Sequence, residues 1–232
     1  MDASGNDHRP LPTDVEPRTT VLYFVRHGET ENNRTGIMQG SGIDSSLNET
    51  GREQAHALRD RFSTIPVDVV YSSRLKRARE TAEIIAESLP NAERRDLDDL
   101  REMSWGVLEG ESPSPARDAM LANVKARWAR GEFDVRVEGG ESILDVRDRA
   151  IRAAQRIVDR EAGRTVLAVT HAWYLRVLIA SICEGYGLGD MSGLSLDNTC
   201  VNRVLFRDGC FHADLLNCTI HLDATATRLS QT

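Results

Sequence analysis

Five consecutive apolar residues, Val21-Leu22-Tyr23-Phe24-Val25, run straight into Arg26-His27-Gly28-Glu29-Thr30. A strand that is apolar on both faces is covered on both faces, which is the condition of a parallel strand inside an α/β sheet. Ligand sites in such sheets form beyond the carboxyl ends of the strands. This run therefore carries a cation, an imidazole and a glycine to the edge where chemistry takes place. Arg26 offers a planar fork suited to phosphate, and Gly28 lets backbone approach a ligand closely. On this tripeptide alone, an incidental loop histidine and a reactive one are both open.

Two further runs repeat the pattern. Val166-Leu167-Ala168-Val169 ends in Thr170-His171-Ala172, and Val67-Asp68-Val69-Val70-Tyr71 ends in Ser72-Ser73, ahead of a helix carrying Arg74, Lys76 and Arg77. If the three are parallel neighbours, two histidines and several cations meet on one sheet edge. Between the runs the apolar spacing is helical. Ala55, Leu58 and Phe62 follow a capping box expected at Thr50 and Glu53, and Leu75, Ala78, Ala82, Ile85 and Leu89 share a face that stops at Pro90. A third helix is expected from Ser142, capped by Asp145, with Ile143, Val146, Ala150, Ala153 and Ile157 inward and a solvated outer face of Arg and Asp. After His171, Leu175, Leu178, Ile179 and Ile182 define one more. Asp208-Gly209 between two β-like segments, 200–206 and 211–216, reads as a hairpin. The fold class that follows is α/β, a three-layer α/β/α sandwich with a mostly parallel central sheet.

A chain of 232 residues fits one such domain. Residues 1–18, with three prolines and scattered charge, read as a disordered tail; 19–223 as a single domain; 224–232 as a polar tail. A net charge of −7 argues against nucleic acid or an anionic membrane as partner, so any anion site must be a local cationic pocket. Cys183, Cys200, Cys210 and Cys218 show no metal-binding spacing and read as reduced, mostly buried thiols of a cytoplasmic protein. No apolar run approaches the roughly 20 residues of a membrane span, and no signal peptide is evident at the start. A homodimer through an edge strand or the hairpin stays open.

The segment Arg26-His27-Gly28-Glu29-Thr30-Glu31-Asn32-Asn33 resembles the opening signature of the histidine phosphatase superfamily, the phosphoglycerate-mutase-like fold. Tyr71-Ser72-Ser73-Arg74-Leu75-Lys76-Arg77-Ala78 is similar to its Ser-x-Leu-x-Arg-Ala segment. The stretch from Leu100 through Glu102 to Gly110 is similar to its acid-bearing loop. Gly139-Gly140-Glu141-Ser142, Val169-Thr170-His171 and the closing Asn217-Cys218-Thr219-Ile220-His221-Leu222 follow in family order, so the resemblance covers nearly the whole domain.

The resemblance implies a phosphohistidine mechanism without metal or other cofactor. His27 is then the nucleophile, its other ring nitrogen held by a backbone carbonyl. Arg26 and Arg77 clamp phosphate oxygens, and His171, charged in the bound state, stabilises the transferring group. Glu102 matches the proton donor; without the resemblance it reads as a surface carboxylate beside Asp96, Asp98, Asp99 and Glu109. Substrate contacts are implied for Gly28, Asn33, Gln39, Gly40 and Ala172, the last standing where relatives often have Gly. Arg74 and Lys76 read as solvent-facing. Trp173 reads as packing or as a stacking surface for substrate. The irregular stretch 110–138 reads equally as a lid or a surface excursion.

The expected activity is hydrolysis of a small phosphomonoester, with a small phosphorylated metabolite as the ligand. Phosphoglycerate mutase is the first alternative, and a non-catalytic phospho-ligand binding module on the same fold is the second. The phosphatase reading rests on the shortness of 110–138, where Lys125, Arg127 and Arg130 are spread along a helix rather than paired.

Overall fold

The computed structural model describes residues 19–223; both expected tails, 1–18 and 224–232, lie outside the described residues. Six strands, β1 (Thr20–Arg26), β2 (Val69–Ser72), β3 (Glu93–Asp96), β4 (Thr165–Thr170), β5 (Val201–Arg207) and β6 (Cys210–Cys218), form one sheet in the order β3-β2-β4-β1-β5-β6. β3, β2, β4 and β1 are mutually parallel, and β5 and β6 close the sheet antiparallel. The three apolar runs of the sequence are thus adjacent strands, with Arg26 opposite Thr170 and Ser72 opposite Val169. The chain leaves all three at the same edge.

Helices α1 (Glu31–Thr35), α2 (Glu49–Phe62), α3 (Lys76–Ala86), α4 (Pro115–Trp128), α5 (Ile143–Arg160) and α6 (Ala172–Ile182) cover the sheet. One face is packed by α5 and α6 over Leu22, Phe24, Val166 and Ala168; the other by Leu58, Phe62, Ala78 and Ile85 over Val25, Val70, Leu167 and Val169. Each fully buried Val, Leu, Ile or Phe side chain among these contributes about 1.5–3 kcal/mol. The α5 cap is as expected, Ser142 and Asp145 satisfying each other's backbone N–H groups. The α2 cap is not Thr50. Asn48 takes that position, its side chain accepting from Gly51 N, and the helix begins two residues earlier. The hairpin turn forms at Asp208 and Gly209, whose φ angles of 54° and 78° are those of the mirror-image turn that suits strand twist.

The stretch 110–138 is integral to the core. α4 buries Leu121, Val124 and Trp128, and the Trp128 ring packs on Trp105 and Trp173 at centroid distances of 5.9 and 5.6 Å. Trp128 Nε1–H donates to Val135 O at 2.8 Å. Two cysteines, Cys183 and Cys200, are buried, while Cys210 and Cys218 are only half-buried, fewer inside than expected. No helix among the described residues is long and apolar enough to cross a membrane.

Candidate active site

His27 follows β1 directly, and its backbone is held from three sides. Its N–H donates to Thr170 O at 3.0 Å, and its carbonyl accepts from Asn198 Nδ2 (3.1 Å) and Thr199 N (3.3 Å). The ring is almost fully buried and its Nδ1 lies 2.7 Å from Gly28 O. A carbonyl can only accept, so Nδ1 carries the proton and Nε2 keeps its lone pair. Burial, reinforced by the Arg77 and Arg26 charges, pushes the His27 pKa well below the usual 6.5. The result is a neutral imidazole of one defined tautomer in a cationic surrounding.

Gly28 is placed behind this ring rather than at the cavity. A Cβ there would lie 2.4 Å from Gly51 O, so glycine is required by the close approach of the α2 N-terminus. Its N–H donates to Thr81 Oγ1.

Two arginines, Arg26 and Arg77, line the same cavity. Arg77, 1% exposed, projects from the first turn of α3 and donates to Gly40 O and Ile43 O, each at 2.7 Å. Arg26 Nη1 donates to Leu196 O at 2.8 Å. The Nε groups of both are buried without a protein acceptor. Burial pushes the Arg77 pKa down to about 10, and lowers that of Arg26. Buried, half-satisfied guanidinium groups of this kind are matched by an oxyanion, which supplies both charge and acceptors. Arg74 and Lys76 are exposed.

His171 caps the N-terminus of α6, its ring 5.1 Å from that of His27 between centroids. Its Nε2 meets Ser73 Oγ at 2.9 Å, and its Nδ1 has no partner. Burial holds its pKa well below 6.5, so in the free site it is neutral. The charge expected for its bound state must therefore arrive with an anionic ligand.

Glu102 is 8% exposed and is no surface carboxylate. It accepts from Met103 N and Tyr174 N, each at 2.9 Å, and from Trp173 N at 3.3 Å. Two of these donors are the orphan N–H groups of the α6 first turn, which fix the carboxylate in the wall of the cavity that His27 also lines. The loop itself is pinned from below by Arg149. That guanidinium donates to Asp99 O (3.0 Å), Arg101 O (2.7 Å) and Glu102 O (3.1 Å), and pairs with Glu141 at 3.0 Å. The α5 face expected to be solvated thus sends one arginine, 2% exposed, into the core. Arg149→Met should cost about 3–5 kcal/mol, because Glu141 and three carbonyls lose their shared donor. Urea unfolding measures this, and a loss under 1 kcal/mol would show that Arg149 does not hold the loop.

A cavity of about 240 Å³ is lined by Arg26, His27, Arg77, Glu102, Ala172 and Arg176 among others, while His171, fully buried, is not on its wall. Asn33, Gln39 and Gly40 also line it. Asn33 Oδ1 accepts from Thr30 N in the α1 cap, leaving its NH₂ as the group for a ligand. Gln39 Oε1 is taken by Ser45 Oγ. Gly40 serves the site by holding Arg77. Trp173 packs on Trp105 and Trp128, as one of its two readings expected, and also lines the cavity. Arg176 went unnoticed in the sequence, hidden in an apolar helix, although it sits one turn after Ala172 and so on the same face. Among the described residues, no group of three or more His, Cys, Asp or Glu is placed to hold a metal ion.

The buried imidazoles make a stability prediction. His27, His171 and His221 (pushed by burial to about 4) all have folded pKa values below 6.5. Between the folded value and 6.5 the unfolded chain binds protons that the folded chain refuses. Stability therefore rises with pH in that window and is lost as pH falls below 6.5, by up to about 1.4 kcal/mol per pH unit for each group. Carboxylates with lowered pKa, such as Glu141, act only at lower pH. Urea midpoints at pH 7.5 and 5.5 read the effect, and equal midpoints would contradict neutral burial.

Comparison with known proteins agrees with this geometry. Residues 22–219 match the family model of the histidine phosphatase superfamily, branch 1. A metal-independent phosphoserine phosphatase from Arabidopsis thaliana is 34% identical over 216 residues, 90% of this chain and 86% of that protein. Phosphoglycerate mutase-like protein 4 of the same plant is 39% identical over 159 residues, 68% of each. The crystal structure of a phosphoserine phosphatase variant from Entamoeba histolytica, in complex with phosphoserine, superposes with a TM-score of 0.76 at 25% identity. That match covers 88% of this chain and 99% of the other. With the family model spanning the sheet, both histidines and the acid loop, the chain belongs to the histidine phosphatase superfamily, branch 1.

Proposed function

We propose that the protein is a metal-independent phosphatase that hydrolyses a small phosphomonoester through a phosphohistidine on His27. The observation that carries this is the His27 ring: neutral, with Nδ1–H on Gly28 O and Nε2 free, between two arginines whose buried Nε groups lack acceptors. The phosphate dianion docks between Arg26 and Arg77, and its charge makes protonation of His171 favourable. Nε2 of His27 forms a bond to phosphorus as the bond to the alcohol oxygen breaks. Glu102 in its acid form gives that oxygen a proton, and the alcohol leaves. Glu102, now a carboxylate, takes a proton from water. The water oxygen attacks phosphorus, the N–P bond breaks, and inorganic phosphate departs with His27 restored.

Hydrolysis over phosphoryl return is supported by where two cations at the end of α4 go. Arg127 and Arg130, the latter just beyond the helix, pair with Glu132 at the surface, and neither lines the cavity. A relative named as a phosphoserine phosphatase over most of its length supports the same reading. The test is inorganic phosphate release from a panel of phosphomonoesters in EDTA, with 3-phosphoglycerate assayed in parallel for conversion to 2-phosphoglycerate. Metal-independent release supports the phosphatase. Isomerisation without release makes it a mutase, and silence in both assays leaves a binding module.

A further inference from the structure

Beside the catalytic cavity lies a second one, of about 300 Å³, lined by Lys125, Trp128, Trp173, Arg176, Leu188 and Met191 among others. Trp173 and Arg176 belong to both. We propose that this compartment receives the alcohol portion of the substrate, which carries an anionic group bound by Lys125 and Arg176 at the end of an apolar or aromatic body. The inference rests on the phosphomonoesterase reading of the adjoining site.

The charges argue for an anion. Lys125 Nζ and Arg176 Cζ stand over the Trp173 ring at 5.4 and 5.0 Å from its centroid. Indole attracts each cation, but two cations on one ring repel each other. Neither forms an ion pair among the described residues; Arg176 Nε–H donates only to Leu194 O. This contrasts with the rest of α4 and its extension, where Arg117, Arg127 and Arg130 are each paired with a carboxylate. Burial lowers the pKa of both groups, and the Arg176 charge lowers that of Lys125 further. A bound anion relieves both costs and adds charge-assisted hydrogen bonds.

The walls argue for the body. Trp128 and Met191 are buried, and Leu188 packs beside them. The cavity volume is about 300 Å³. That is more than a carboxylate fills, so apolar atoms have space against the tryptophans. The site therefore suits a phosphorylated hydroxy acid with a ring or an alkyl chain between its two polar ends.

The test uses two probes with matched leaving groups, 4-(carboxymethyl)phenyl phosphate and 4-ethylphenyl phosphate. Binding is measured by calorimetry on the His27→Ala protein, which cannot turn them over. The carboxylated probe should bind at least tenfold more tightly, about 1.4 kcal/mol. Lys125→Met in that background should remove most of the preference, and Lys125→Arg should restore it. Equal binding of the two probes, or a preference that survives Lys125→Met, overturns the compartment. Turnover by the unmodified enzyme is read separately. Preferential binding with no phosphate release from these probes or from the phosphomonoester panel would overturn the phosphatase reading and leave the compartment standing; release from the panel with neither probe bound would overturn the compartment alone.

Discussion

Replacing His27 by Ala should abolish phosphate release from every substrate, a loss of roughly 10⁴-fold or more, as expected when a covalent nucleophile is removed. No neighbour can take its place. His171 Nε2 is occupied by Ser73 Oγ, and its Nδ1 is fully buried. The fold should survive. The ring's main interactions are the contact with His171 and the hydrogen bond to Gly28 O, while the backbone of residue 27 is held by Thr170, Asn198 and Thr199 whatever its side chain. Loss of a buried imidazole that opposes folding at low pH should also flatten the pH dependence of stability. Circular dichroism with urea unfolding checks the fold, and an activity near that of the unmodified protein would remove His27 from the nucleophile role.

Glu102→Gln is the second large effect, and it should depend on the substrate. Gln can still accept from Met103 N and Tyr174 N, so the loop keeps its place, but its amide cannot deliver a proton. An alkyl phosphate, whose alkoxide leaves poorly, should slow by roughly 10²–10⁴-fold. p-Nitrophenyl phosphate should slow far less, since its phenolate leaves without protonation. Plotting kcat against leaving-group pKa should therefore give a steeper slope for Glu102→Gln than for the parent. Equal slowing of both substrates would show that Glu102 is not the acid.

Sequence patterning carried the centre of the fold because β1, β2 and β4 are buried on both faces, and burial on both faces leaves an unbroken apolar run. It did not show β3. Glu93-Arg94-Arg95-Asp96 pairs only with β2 at the sheet edge, where charge is tolerated and no apolar run is needed. The α2 cap was misplaced because Asn48 and Thr50 both offer a capping side chain, and it is Asn48 that Glu29 holds through its backbone N–H and its side-chain amide, contacts the local sequence does not show.

The site was legible in a similar, partial way. His27 and His171 announce themselves at strand ends. Arg77 does not, because it sits beside Arg74 and Lys76, and the local sequence gives no reason why one of three cations is buried; the family resemblance selected it. Glu102 lies in an acidic loop and reads as surface. Its burial depends on Arg149, 47 residues away, and on the α6 N-terminus. Arg149 and Arg176 were missed for one reason: each is an arginine on a helix whose other residues explain its periodicity. A charge one helical turn from a residue already placed in the site, as Arg176 is from Ala172, is the signal that could have found it.

The most direct test is mass spectrometry of the protein quenched in alkali during turnover of a phosphomonoester. The mechanism requires one phosphoryl adduct on the His27 imidazole, stable to alkali, lost in acid and absent from His27→Ala. An adduct on another residue, or turnover with no adduct that persists in His27→Ala, would contradict it.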